Sequence, residues 1–267
     1  MSLRLKPTFR DVLAGRDGPL IGVWTVTGSV VAAEIMAGSG ADLLLIDGEH
    51  GPFGVGDVVG LLQAAEPYPI TSLVRVPWND PVAIKQFLDT GAQNVIVPMV
   101  GNAADAARAV DAVRYPPLGS RGIGSALARS GRWGRVAGYV PNADGYVSLT
   151  VQIETAEAVQ NAAAIAGVAG VDAVFIGPSD LAASMGFPGR GTAEPAVADA
   201  VAATIAAVRS ERVPVGVNAF VPADAQRWID AGADFVFVGA DVSIMARGSE
   251  ELVARFAGDR AAGADTY

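Results

Sequence analysis

The fold is decided by Gly40-Ala41-Asp42-Leu43-Leu44-Leu45-Ile46 and its echoes along the chain. Gly91-Ala92-Gln93 precedes Asn94-Val95-Ile96-Val97, Gly170-Val171-Asp172 precedes Ala173-Val174-Phe175-Ile176, and Gly232-Ala233-Asp234 precedes Phe235-Val236-Phe237-Val238. Each reads as a helix closed by glycine and followed at once by a buried strand, the shortest helix-to-strand connection. Apolar runs bounded by glycine, without polar alternation, suit parallel strands covered on both faces.

Four other strands lie between these, at 21–24, 72–76, 149–153 and 214–217. Helical patterns fill 56–65, 81–88, 103–113, 156–166, 195–208, 223–230 and 242–256, and Ser29 caps a further helix through Met36. Pro81 and Pro195 suit a first helical turn, where a missing N–H is no loss. A short helix, 7–15, opens the chain. Eight β/α units in one domain, residues 1–257, make an α/β (β/α)₈ TIM barrel the economical reading, with an open doubly wound sheet as the alternative. The tail, 258–267, is expected to be disordered.

Bulk properties narrow the function. The chain has 267 residues, 51% hydrophobic, enough for one large core. A net charge of −9 argues against nucleic-acid or anionic-membrane surfaces. The absence of cysteine removes disulfides, thiolate metal sites and a cysteine nucleophile. The first residues lack a signal-peptide core, and no apolar run is long enough to span a membrane. A cytoplasmic location is the expectation. The segment 114–146 breaks the rhythm: Pro116-Pro117, several glycines, and arginines interleaved with Trp133 and Tyr139 read as a functional or interface loop, or as a solvated arm.

Active sites of such barrels lie at the C-terminal strand ends. Those ends carry Trp24, Asp47 with Glu49 and His50, Arg75, Gln152 with Glu154, Asp180 after Gly177-Pro178-Ser179, and Asn218. His50 is the only histidine, and imidazole titrates near neutral pH. Glu154 and Asp180 facing each other would repel unless a cation sits between them, and two carboxylates with water suit Mg²⁺ or Mn²⁺. The alternative is that both are helix caps. Arg75 within an apolar strand needs a fixed anion: a substrate carboxylate or enolate, or a structural salt bridge to Asp47. The turn at Gly177 could hold a carboxylate on its N–H groups.

Asp47-Gly48-Glu49-His50, Val74-Arg75-Val76-Pro77-Trp78-Asn79-Asp80, Val97-Pro98-Met99-Val100, Arg114-Tyr115-Pro116-Pro117, Arg121-Gly122-Ile123-Gly124-Ser125-Ala126, Val151-Gln152-Ile153-Glu154-Thr155 and Phe175-Ile176-Gly177-Pro178-Ser179-Asp180-Leu181 together resemble the HpcH/HpaI aldolases. The resemblance runs from about Gly22 to Phe256. It implies a class II pyruvate aldolase that reversibly cleaves a 4-hydroxy-2-oxoacid, such as 4-hydroxy-2-oxoheptanedioate, to pyruvate and an aldehyde.

A divalent metal (Mg²⁺, Mn²⁺ or Co²⁺) would be held by Glu154 and Asp180. Gln152, Ser179, Asp180, Trp24 and Gly177 would contact substrate. Arg75 would stabilise the enolate, His50 would be the acid/base, and Asp89 would raise its basicity. The last helix would be swapped between subunits of a homohexamer, a trimer of dimers. Asp89 ends a helix and so falls on the face opposite His50, which makes its role one acting across a subunit contact. No lysine sits at a strand end, Lys85 being on a helix, so a Schiff base is not expected. Segments 51–54 and 217–220 depart from the family pattern near the aldehyde side, leaving the acceptor open. A CoA-ester lyase of the citramalyl or malyl type, and a non-catalytic oxoacid-binding barrel, are the competing readings.

Overall fold

The structure, a computed structural model, describes residues 3–257; the tail expected to be disordered lies outside them. Eight parallel strands close into a barrel in sequence order, which removes the open-sheet alternative. They are β1 (Leu20–Thr25), β2 (Leu43–Asp47), β3 (Thr71–Arg75), β4 (Asn94–Val97), β5 (Ser148–Ile153), β6 (Ala173–Ile176), β7 (Val215–Asn218) and β8 (Phe235–Ala240). The helices are α1 (Phe9–Gly15), α2 (Val30–Ala37), α3 (Val58–Ala65), α4 (Pro81–Asp89), α5 (Ala103–Val113), α6 (Ala156–Gln160), α7 (Ala162–Ala166), α8 (Pro178–Ser184), α9 (Pro195–Ser210), α10 (Pro222–Asp230) and α11 (Asp241–Ala257).

The Gly-x-Asp repeat has a mechanical meaning. The Asp42 N–H donates to the Ile21 carbonyl at 2.8 Å, while its carboxylate accepts the Ile21 N–H at 2.8 Å. Asp172 does the same with Leu149, and Asp234 with Val215. Each aspartate therefore clamps both backbone groups of the first residues of a neighbouring strand, fixing where that strand begins. Gln93 has no carboxylate; its carbonyl accepts the Ser148 N–H, and its amide reaches the Lys6 carbonyl instead.

Strand side chains alternate between two cores. Leu43, Leu45, Leu73, Phe175, Phe235 and Phe237 fill the barrel interior, and Phe9 and Leu13 of α1 belong to the same cluster. Phe9 meets Phe235 edge-on, with centroids 5.1 Å apart, and its N–H donates to Asn94 at the foot of β4. Leu44, Ile46 and Val74, on the outward face, pack with the helix layer.

Two regions differ from a regular wall. The segment after α5 is ordered by two 3₁₀ turns, Arg129–Gly131 and Val140–Gly145, and by a small core of Tyr115, Val136, Tyr139 and Ala143. The last helix, α11, buries only Asp241 of its 17 residues. Its Leu252, Val253 and Phe256 stand exposed, as do Val30, Val31 and Ile35 on and beside α2.

Removing the Asp234 carboxylate should strand the Val215 N–H. Asp234→Ala is expected to lower unfolding stability by about 2–3 kcal/mol, and Asp234→Asn by less. Urea denaturation checks the order of the two variants.

Candidate active site

Strand register assembles the centre of the site. Pairing of β2 with β3 sets Asp47 directly beside Arg75. Both are buried. Arg75 Nε donates to Asp47 Oδ1 at 2.9 Å and Nη2 to Oδ2 at 2.8 Å, a bidentate fork, and Nη1 lies 2.8 Å from Glu49 Oε2. The guanidinium carbon sits 4.7 Å above the Trp24 ring. Of the five N–H donors a guanidinium carries, Asp47 occupies two; Nη1 meets Glu49 as an ion pair without a hydrogen bond, and Glu49 Oε2 has no hydrogen-bond partner among the described residues. The salt bridge read as an alternative to a substrate role is thus present, and three donors, two of them on Nη1 beside Glu49, remain for a ligand.

Asp47 also shapes the turn that follows. Its Oδ1 accepts the N–H groups of Glu49 and His50, at 3.1 and 3.3 Å, and carries His50 out to the rim. The imidazole is 64% exposed, with Nε2 3.9 Å from Glu49 Oε2.

Glu154 follows β5 and is buried. Its Oε1 accepts the Met99 N–H at 2.7 Å, and its other oxygen accepts from Gln152. Met99 has φ of 56°, a left-handed conformation in which a side chain is strained, and this turns its N–H onto the carboxylate. Gly177 leaves room beside them: a Cβ there would lie 2.8 Å from Gln152 Nε2 and 2.9 Å from Glu154 Oε2 and would push these side-chain ends aside. The alternative, that both are helix caps, does not hold. Thr155 caps α6, and Asp180 lies inside the first turn of α8, whose cap position is Gly177.

The charges are unbalanced. Burial, with the negative charges of Glu49 and Asp180 adding to it against the Met99 N–H and Arg75, pushes Glu154 up to about 7. Burial also raises Glu49 above the usual carboxylate range, opposed by Arg75. Asp47, Glu49, Glu154 and Asp180 thus share one guanidinium, and Glu154 and Asp180 have no ion-pair partner among the described residues. A mouth of about 310 Å³ is lined by Trp24, His50, Arg75, Gln152, Gly177, Ser179, Asp180 and Asn218, and Glu154 borders it through Gln152 and Gly177. The buried Gln152 Oε1 has no partner.

Asp89 is not brought to this mouth within the chain. It ends α4, and its carboxylate accepts from Arg121 at 2.8 Å. Three contributors escaped the sequence reading. Glu49 was visible beside His50, but its pairing with Arg75 needs the wound turn. Met99 gave no signal of its backbone geometry. Asp241, at the start of α11, accepts from Thr25 Oγ1, from the Val26 and Thr27 N–H groups and from Thr27 Oγ1, and so holds the loop after β1 at the rim.

A family model described as HpcH/HpaI aldolase/citrate lyase matches residues 20–247. The chain belongs to this family. It is 49% identical over 257 residues to the 4-hydroxy-2-oxo-heptane-1,7-dioate aldolase of Salmonella arizonae, covering 96% of this chain and 97% of that protein. Among solved structures, an HpcH/HpaI aldolase/citrate lyase family protein from Burkholderia cenocepacia superposes with a TM-score of 0.89 at 36% identity, covering 93% of this chain and 98% of the other. An HpcH/HpaI aldolase from Desulfitobacterium hafniense gives 0.84 at 26% identity, over 94% and 96%.

Metal-free protein should report the Glu154 proton. Folded, the group keeps it to about 7; unfolded, it loses it near 4.5. The folded state binds more protons across that window, so stability falls as pH rises through it. In chelator-treated protein, Glu154→Gln is expected to flatten the fall in melting temperature over that range. Equal slopes would mean Glu154 is already ionised at the acid end.

Proposed function

We propose that this HpcH/HpaI aldolase cleaves a 4-hydroxy-2-oxoacid, such as 4-hydroxy-2-oxoheptanedioate, to pyruvate and an aldehyde. The observation that carries the reading is the pairing of a fixed guanidinium with an uncompensated carboxylate pair at one barrel mouth. The name of the Salmonella relative supports the substrate class.

The donor set fits a hard divalent cation. Glu154 and Asp180 supply carboxylate oxygens in a site with more negative than positive charge, and a buried amide oxygen of Gln152 is unpartnered. Among the described residues no three His, Asp or Glu side chains are arranged to hold an ion alone. Two carboxylates leave positions for water and for substrate oxygens. Bound there, Mg²⁺, Mn²⁺ or Co²⁺ would polarise the keto oxygen as a Lewis acid.

The chain's own groups do the rest. His50, at the rim, takes the proton of the C4 hydroxyl. The C3–C4 bond breaks, C4 becomes the aldehyde carbon, and the electron pair collects on the three-carbon enolate. The N–H groups of Arg75 that Asp47 leaves free stabilise that negative charge, while the fork to Asp47 and the ion pair with Glu49 hold the guanidinium still. Protonation of the enolate carbon releases pyruvate. Gln152, Ser179 and the turn at Gly177 orient the substrate, and the Trp24 ring bears on Arg75 from below.

A swapped α11 belongs to the same proposal. Support comes from the exposed apolar residues of α11 and of α2, two stripes that a second subunit would cover. A homohexamer would also carry Asp89 of one subunit toward His50 of another. Among the described residues that line the mouth, Arg75 is the one Lys or Arg, which disfavours a CoA ester, whose phosphates want basic partners.

Glu154→Ala and Asp180→Ala are expected to lose metal binding and pyruvate release together. Arg75→Ala should keep metal binding and lose about 10²–10³ in kcat, the size typical of one such donor group. Calorimetric Mn²⁺ titration and coupled pyruvate assay check both. An Arg75→Ala enzyme keeping most of its rate would remove the enolate assignment.

A further inference from the structure

A second cavity lies at the opposite end of the barrel from the mouth. About 480 Å³ in volume, it opens between the feet of β3 and β4. One wall is apolar, built from Val12, Leu62, Pro67, Tyr68, Pro69 and Ile70. The other carries Lys6, Arg129 and Arg132 against the single carboxylate of Glu66.

This charge balance is unlike the rest of the molecule, whose net charge is −9. Glu66, half exposed, is shared between both arginines: it accepts from Arg129 Nη2 at 3.5 Å and lies 3.8 Å from Arg132 Nη2, so one carboxylate faces two guanidiniums. Lys6 Nζ donates to a backbone carbonyl, that of Tyr68, and meets no carboxylate.

The guanidiniums are held in place. Arg129 is buried and donates to the Thr90 carbonyl at 3.1 Å; Arg132 donates to the Arg129 carbonyl at 2.7 Å. Both approach the point a Cβ would occupy on Gly91, Arg129 Nη1 at 2.6 Å and Arg132 Nη1 at 2.8 Å, so only glycine lets them converge. Burial, then the charge of Arg132, lowers the Arg129 pKa. Two like charges fixed side by side beside a roomy cleft favour an anion between them. The apolar wall rewards a ligand whose body leaves water with its charge.

We infer that this cleft is a second binding site, for a small organic carboxylate with an apolar body, held by Arg129, Arg132 and Lys6 with its body against Tyr68, Leu62 and Ile70. The site is independent of the aldolase reading, because none of its residues lines the mouth.

Calorimetric titration of 3-phenylpropionate into the full chain tests it, with acetate and inorganic phosphate as reference anions. The expected result is binding at least about tenfold tighter than acetate or phosphate, as burial of an aryl body requires. Arg132→Gln and Lys6→Gln should each weaken it about fivefold or more while melting at the parent temperature. Lys6→Gln alters only an exposed side chain and guards against misfolding of the arginine variant. Absence of binding, affinity unchanged in both variants, or phosphate binding as tightly as 3-phenylpropionate would each overturn the inference.

Discussion

A buried guanidinium must be matched by fixed anions, and Arg75 sets that demand at the heart of this barrel. Leaving a buried ion pair with one partner costs roughly 3–5 kcal/mol, so the register of β2 against β3, which puts Asp47 beside Arg75, is tied to the stability of the charge. Asp47 answers with both oxygens and also winds the next turn on its Oδ1, so that Glu49 and His50 take their places from the same carboxylate. The Trp24 ring closes the other side. One charge thereby orders three strand ends.

The remaining carboxylates are arranged on the opposite principle. Asp47 and Glu49 both lie against Arg75, whereas Glu154 and Asp180 have no ion-pair partner among the described residues. Glu154 is kept in that state by geometry: a strained Met99 backbone aims an N–H at it, Gln152 takes the second oxygen, and Gly177 leaves room for the contact. Glu154 is buried and Asp180 exposed, and the charge of Asp180 adds to the burial that raises the Glu154 carboxyl. The mouth thus holds one carboxylate tied to a guanidinium by two hydrogen bonds and others without such a tie.

Much of this was legible from the chain. The glycine-capped apolar runs announced parallel strands, and the aspartates among them proved to be clamps on neighbouring strand starts rather than surface charges. Strand-end reading found Trp24, His50, Arg75, Gln152, Gly177, Ser179 and Asp180, all on one cavity, because side chains at those ends have only the barrel mouth to face. What stayed hidden depends on loop conformation. The left-handed backbone of Met99 has no compositional mark, the contact of Glu49 with Arg75 depends on how a four-residue turn winds, and the burial of Asp241 depends on the loop after β1. For Arg75 the two readings, salt bridge or substrate group, were posed as alternatives, yet a guanidinium has enough donors for both.

Asp241 joins the rim to the one helix that covers almost none of the barrel. It begins α11 and, through both carboxylate oxygens, grips Thr25, Val26 and Thr27, the residues that continue from Trp24. The first turn of α11 cannot pivot without dragging that strip along. Any contact made along the exposed length of the helix therefore acts through a lever whose fulcrum lies one residue from the indole beneath the buried Arg75 guanidinium.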